Sequence, residues 1–233
     1  MKRKYKEYFG YYIELEKDFF DTEAYVSIEE DNYKTYSTKY AKIYLSICSE
    51  IDCLLKEICR NIDNTTTASR INQYYPIINT AFNNFKSESV YYEKQKIEVY
   101  PWEEWEEGNS PKWWQYYNKV KHHRLEEETD TNITYYKYAN LENVLNALAA
   151  LYIVEQYYMY SYNYLNEAEI QREQENSFLT LEEVAENEKA FAMFLFTSSR
   201  CYMKRWKDNG CYFLPYFEQY ADLERLDYIV NYE

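Results

Sequence analysis

The sequence predicts an all-α protein that folds as an up-and-down helical bundle. Only three glycines and four prolines occur among the 233 residues, and this scarcity of breaking residues favours long helices over a turn-rich sheet. Apolar residues also recur every three or four positions over long stretches, which is the spacing of a buried helical stripe. A chain of this length can bury one sizeable core, so we expect a single domain over residues 1–233.

The N-terminal third of the chain is predicted to hold three helices. Aromatic residues at helical spacing indicate a first helix over about 4–20, followed by an acidic connector at 22–32. An apolar stripe running from Tyr40 to Ile58 predicts a long helix over about 33–62. After a polar loop at 61–69, residues 70–85 predict a third helix that is interrupted or kinked near Pro76.

The middle of the chain changes character. Residues 87–101 contain alternating β-branched and aromatic residues, which predict a small β-hairpin or an extended arm. Pro101 ends this segment, and an exposed acidic loop is expected at 103–109. Ser110 and Pro111 are typical of a helix N-cap and of a first helical position, so the next helix is predicted over 111–124.

The longest helical pattern covers residues 138–170. We expect this helix to pack mainly against the helix at 33–62, with the helix at 111–124 nearby. Two or three further helices are predicted between about 180 and 206, followed by a tail at 212–233.

The net charge and the cysteine content limit the partners and the cellular compartment that we expect for this protein. The net charge of −14 gives no general attraction to nucleic acid or to an anionic membrane, so a polyanion must meet a local basic patch. Five cysteines without a CxxC pair or a secretory signal indicate a reducing compartment. The most apolar windows, 144–154 and 191–196, are too short to span a bilayer. We therefore expect a cytoplasmic protein without membrane contact, metal or cofactor.

The candidate chemical site is a basic segment at 112–124, which contains both histidines and lies between acidic runs. Asn118 and His122 are four residues apart and share one helix face. A histidine can act as general acid or base, an amide can orient it or the phosphate, and a cation such as Lys121 or Arg124 can stabilise transition-state charge. The set suits metal-free RNA cleavage by attack of a 2′-hydroxyl on the adjacent phosphate.

The same residues have other interpretations. Histidine among lysines is typical of a solvated helix face, and His123 lies on a different face from His122. Trp113 and Trp114 are typical anchors to a core, or alternatively platforms for stacking bases. Adjacent histidines without an HExxH pattern do not indicate zinc.

The segment WWQYYNKVKHHR, preceded by a helix carrying SICSEIDCLLKEIC, resembles the HEPN superfamily, and most closely bacterial HEPN-like proteins of the abortive-infection type. The resemblance covers about residues 35–165 and implies a helical core with helical additions at both ends. Its motif is an arginine, often followed by asparagine, then a few residues and a histidine. Asn118 and His122 match this motif, whereas Tyr117 occupies the arginine position. Glu50 resembles a polar residue that can face the motif from the earlier helix.

Three functions follow as hypotheses. The resemblance implies a metal-independent endoribonuclease that acts as a phage-defence or toxin effector, forms a homodimer with a composite site and takes RNA as its substrate. The second is a non-catalytic HEPN-like module that binds a partner protein, such as an antitoxin or defence-system component, or a nucleotide. The third is a scaffolding protein whose tyrosine-rich surface forms interfaces.

Overall fold

A computed structural model describes residues 2–161 and 200–203 of the chain. This part is mostly helical, which confirms the predicted class, and it also contains a small antiparallel sheet. The elements are α1 (Lys2–Phe20), α2 (Thr38–Ile62), α3 (Ile71–Ala81), β1 (Val90–Tyr92), β2 (Ile97–Val99), α4 (Lys112–His123), α5 (Leu141–Ser161) and β3 (Tyr202–Met203). The end of the helix predicted to reach 170 and the tail at 212–233 lie outside the described residues. The helices predicted between 180 and 206 also lie outside them except at residues 200–203, where the prediction was wrong because the chain forms strand β3.

Helix α2 begins where the sequence supplies a cap, because the Ser37 side chain accepts a hydrogen bond from the Tyr40 N–H at 3.0 Å. Its apolar stripe is buried from Tyr40 to Cys59. This stripe packs mainly on α5, and α1 contacts both helices. The expected pairing of these two long helices is therefore confirmed for the described part of α5, which is buried on nearly all sides.

Helix α3 is shorter than expected and continues through Pro76 without interruption. The predicted end at residue 85 was wrong, because Phe82 ends the helix and Phe85 begins a separate 3-10 turn. The Phe85 side chain is buried, so this turn serves to bring the ring into the core.

The predicted hairpin forms at residues 90–99. Val90 lies opposite Val99 and Tyr92 lies opposite Ile97 in an antiparallel pair, and the turn includes Lys96 in the left-handed region at φ 58°. β3 pairs with the other edge of β1, so the strand order is β2-β1-β3. Val90 and Tyr92 are buried, which attaches this sheet to the helical core.

A tryptophan cluster precedes α4, and it corrects the expectation of a wholly exposed acidic loop at 103–109. Trp105 is buried at 1% exposure, with its ring centroid 4.7 Å from that of Trp102. The Trp102 ring lies 5.3 Å from Trp113, whose indole N–H donates to the Pro101 carbonyl at 2.6 Å. The apolar gain from burying these large rings outweighs the acidic character of the segment and fixes the start of α4.

Within the described residues, no helix is both long enough and apolar enough to cross a membrane.

Candidate functional site

Helix α4 carries the candidate site and is held by its apolar face. Trp113, Trp114, Tyr117 and Val120 are all buried on this face. The Tyr44 hydroxyl of α2 donates a hydrogen bond to the Trp113 carbonyl. Trp113 and Trp114 are each only 5% exposed, so both act as core anchors and neither offers a ring face for base stacking.

The start of α4 differs by one residue from the prediction. Lys112 is the first helical residue and Pro111 is the N-cap, so Ser110 lies outside the helix and does not cap it. The Glu104 carboxylate accepts a hydrogen bond from the Lys112 N–H at 3.1 Å instead. A carboxylate at this position also complements the positive end of the helix dipole.

At the exposed C-terminal end of α4, some basic side chains have a carboxylate partner among the described residues and others do not. Lys119 Nζ lies 2.6 Å from the Glu128 carboxylate, and His123 Nδ1 lies 3.0 Å from Glu126. The side chains of three other basic residues are exposed and have no carboxylate partner among the residues that the structure describes. We call these three the basic tip: Lys121, His122 and Arg124.

Lys121 lies beside the residue that occupies the arginine position of the resembled motif. Tyr117 is 4% exposed, and the Lys121 ammonium lies 5.4 Å from its ring centroid. Burial raises the pKa of Tyr117, and a hydrogen bond from Lys121 acts in the opposite direction. The buried tyrosine therefore supports a cation one turn later on the helix, at the edge of the basic tip.

Asn118 does not hydrogen-bond to His122. Its Nδ2 donates to the Trp114 carbonyl on the preceding turn at 3.2 Å, which is a common arrangement for a polar side chain inside a helix. Its Oδ1 has no partner among the described residues. The structure therefore places Asn118 and His122 on one face of α4, as predicted, but it does not show the expected orienting bond.

Arg124 follows the last residue of α4 and its side chain is exposed. Its carbonyl accepts a hydrogen bond from the Tyr136 N–H at 3.0 Å. The chain directly after α4 is thus tied to the loop that supplies Glu128, so the basic tip projects from a fixed backbone.

Among the described residues, Glu50 makes no hydrogen bond or ion pair with α4, so the contact that the resemblance implies is not seen. Burial raises the pKa of Glu50, and its charge acts on Glu155 of α5. Asp52 lies about 200° further around α2, and its charge acts on Tyr117. It also accepts a hydrogen bond from the Tyr74 hydroxyl at 3.2 Å. Asp52 is therefore the acidic residue of α2 whose charge acts on this site. The sequence could have indicated this, because Asp52 follows Tyr44 by eight residues and Tyr44 contacts α4.

Among the described residues, no group of three or more histidine, cysteine, aspartate or glutamate side chains could hold a metal ion.

Comparisons of the chain with protein-family models, with curated proteins and with solved structures find no match. The HEPN resemblance therefore stays a prediction that rests on the short motif around Asn118 and His122.

Proposed function

We propose that the chain is a metal-independent endoribonuclease that acts as a phage-defence or toxin effector in the cytoplasm, and that the basic tip binds and cleaves RNA. The observation that carries this proposal is the selective neutralisation at the end of α4. Glu128 and Glu126 pair with Lys119 and His123, whereas the basic tip keeps its charge open to solvent. In a protein of net charge −14, such a tip is a local site for a phosphate group.

The chemistry assigns a role to each residue of the tip. The 2′-hydroxyl loses its proton as its oxygen attacks phosphorus, and the 5′-oxygen leaves with a proton as its bond to phosphorus breaks. His122 exchanges one of these protons as general base or general acid. Lys121 and Arg124 stabilise the additional negative charge on the phosphate oxygens, and the open Asn118 Oδ1 accepts a hydrogen bond from a ribose hydroxyl.

This reaction favours a homodimer, as the resembled proteins imply. One proton must be removed and another supplied, whereas each basic tip contains a single histidine, His122. Two tips brought together across a two-fold axis would supply both the base and the acid.

The direct test compares RNA cleavage in EDTA by wild type and by two matched variants. His122→Ala is expected to lower the cleavage rate by about 100-fold or more. The control is His123→Ala, because His123 is adjacent and also exposed but paired with Glu126, and it should retain most of the activity. Equal rates for wild type and His122→Ala, or no cleavage of cellular RNA by the purified wild-type protein, would contradict the proposal.

The dimer has its own test in a mixing experiment. If the site is composite, the specific activity should rise with protein concentration over the range in which light scattering detects dimer formation. Inactive His122→Ala added in excess should then reduce wild-type activity by forming mixed dimers. Activity that is independent of both treatments would show that a single chain carries the whole site.

A second candidate is a non-catalytic HEPN-like module that binds a partner protein or a nucleotide. It is favoured by the burial of Tyr117 at the arginine position and by the bond from Asn118 to its own helix. Under this proposal an antitoxin or defence-system partner would bind the chain equally well after His122→Ala. Cleavage activity that depends on His122 would exclude it.

A further inference from the structure

A cleft of about 310 Å³ lies between the N-terminal parts of α4 and α5, and the turn at 100–104 contributes a further wall. It is remote from the basic tip. Lys112 lines the cleft and Lys121 follows nine residues later on the same helix, which corresponds to about 14 Å along the axis. The cleft is therefore separate from the proposed ribonuclease site, and ligand binding there is independent of RNA cleavage.

The backbone donors that would normally attract an anion to this position are already used. Helix N-termini bind anions through their free N–H groups. Here the Lys112 N–H of α4 and the first three N–H groups of α5 all donate to groups of the protein itself, at 2.9–3.2 Å. Lys112 donates to the Glu104 carboxylate. Leu141 donates to the Thr35 carbonyl, Glu142 to the Tyr33 carbonyl and Asn143 to the Asn140 side chain.

Two amide oxygens on the α5 wall are open. Asn143 is 7% exposed, and its Nδ2 donates to the Tyr138 carbonyl at 2.9 Å. Asn146 lies one turn later and donates from Nδ2 to the Glu142 carbonyl, also at 2.9 Å. The Oδ1 atoms of Asn143 and Asn146 have no hydrogen-bond partner among the described residues. Asn143 and Asn146 both line the cleft, so their open Oδ1 atoms can accept hydrogen bonds from a ligand there, and the cleft is suited to a ligand that donates them.

The charge of the cleft selects the same kind of ligand. Lys34 Nζ lies 2.6 Å from the Glu142 carboxylate, so this pair is internally neutralised. Glu104 accepts a hydrogen bond from the Lys112 N–H, and the exposed Lys112 side chain also lines the cleft, so its positive charge offsets that of Glu104. Glu103 also lines the cleft, is exposed and has no ion-pair partner among the described residues. It therefore leaves negative charge available beside the two open amide oxygens.

Aromatic side chains complete the lining. Trp113 and Tyr116 are on the α4 wall, and Tyr116 is held in place by stacking on Tyr138 with a centroid distance of 3.9 Å. Aromatic walls accommodate an aliphatic chain and attract a cation placed over a ring face.

We propose that this cleft binds an organic cation, namely a guanidinium or primary ammonium group on an aliphatic stem. The cation donates hydrogen bonds to Asn143 Oδ1 and Asn146 Oδ1, the Glu103 carboxylate balances its charge, and the stem packs against Tyr116. The group belongs either to a free small amine or to an arginine or lysine side chain of a partner protein.

The test is calorimetric titration of the full chain at 0.15 M salt with n-butylguanidinium and with its uncharged analogue n-butylurea. We expect one cation to bind per chain, about tenfold or more tighter than the urea, since hydrogen bonds to a charged group are the stronger ones. Glu103→Gln and Asn146→Leu should each weaken binding of the cation about tenfold. Glu107→Gln is the matched control, because Glu107 has the same charge in the same exposed loop but does not line the cleft.

Site-specific and source-specific readouts complete the experiment. In ¹⁵N-resolved NMR spectra, the side-chain amide signals of Asn143 and Asn146 should shift on titration with n-butylguanidinium. Tighter binding of an acetylated and amidated Gly-Arg-Gly peptide than of n-butylguanidinium would support a protein side chain as the ligand. Weaker binding of the peptide would support a free amine.

Three results would overturn the proposal. The first is an absence of binding by both n-butylguanidinium and the peptide at millimolar concentration. The second is equal binding of n-butylguanidinium and n-butylurea. The third is an equal loss of affinity in Glu103→Gln and Glu107→Gln, which would show only general attraction to an acidic surface.

Discussion

Replacing Glu155 by leucine is expected to stabilise the protein, and to do so more strongly as the pH rises. Glu155 lies on α5 with 0% exposure, and neither of its carboxyl oxygens has a hydrogen-bond partner among the residues that the structure describes. Burial disfavours the charged form of the carboxyl, and the nearby charge of Glu50 adds to this effect. Together they raise the pKa of Glu155 well above its ordinary value of 4.5.

The size of the effect has two parts. In the protonated form, a buried carboxyl without hydrogen bonds costs about 1–3 kcal/mol relative to a well-packed apolar side chain. Above pH 4.5, the unfolded chain loses the Glu155 proton while the folded chain keeps it. The free energy of unfolding therefore falls by about 1.4 kcal/mol for each pH unit up to the raised folded pKa. Leucine removes both penalties.

The assay is urea-induced unfolding of wild type and Glu155→Leu at pH 5, 6 and 7. The variant should be more stable by about 1–3 kcal/mol at pH 5, and its advantage should grow by about 1.4 kcal/mol per pH unit within the window defined above. The matched control is Gln156→Leu, which replaces a neighbouring polar side chain that is 5% exposed and does not titrate. Its difference from wild type should not change with pH.

A stability difference between Glu155→Leu and wild type that stays constant from pH 5 to pH 7 would refute the assigned pKa shift. A variant that is less stable than wild type at every pH would show that the carboxyl is stabilised in the folded protein.

Three further predictions concern α4 and α2. Tyr44→Phe removes the hydrogen bond donated to the Trp113 carbonyl and should lower the free energy of unfolding by about 1 kcal/mol; unchanged urea unfolding would contradict this. Hydrogen bonding, chiefly from Lys119, lowers the pKa of Glu128 to about 2. An NMR titration should therefore find the contact between Lys119 and Glu128 intact above pH 4.5 and lost as the pH falls towards 2; loss already at pH 5 would refute it. Cys53 is exposed whereas the other described cysteines are buried, so it should react with a thiol reagent faster than they do, as peptide mapping after labelling would show.

Helix positions were predictable because helical periodicity is a local property of the chain. The stripe from Tyr40 to Cys59 appears in the sequence as it does in the folded helix, and its regular spacing predicted burial on one side. The hairpin was predictable for a similar reason, since residues 90–99 pair within one short segment. The contact of β1 with β3 joins Val90 to Met203, and no local pattern indicates a pairing over such a distance.

The candidate site was predictable in position but not in its internal contacts. The location of His122 on an exposed helix end follows from the composition around it. The hydrogen bond from Asn118 to the Trp114 carbonyl depends on the side-chain rotamer of Asn118. The spacing of residues along the chain does not specify that rotamer. Asp52, and not Glu50, is the acidic residue of α2 whose charge acts on α4. Which residue does so depends on the rotation of α2 about its own axis, and this rotation is set by packing against α5 and α1.

By itself the sequence determined the helical class, the hairpin and the place of the basic segment, because each depends on residues that are close in the chain. Only the tertiary structure decided which charges remain open. Glu128 pairs with Lys119 because the loop after α4 folds back on the helix, whereas the contact of His123 with Glu126 spans only three residues. Asn143 keeps an open oxygen in the cleft because α4 and α5 meet there. Electrostatic and hydrogen-bond partners are fixed by distances in space, and residue spacing along the chain does not contain those distances.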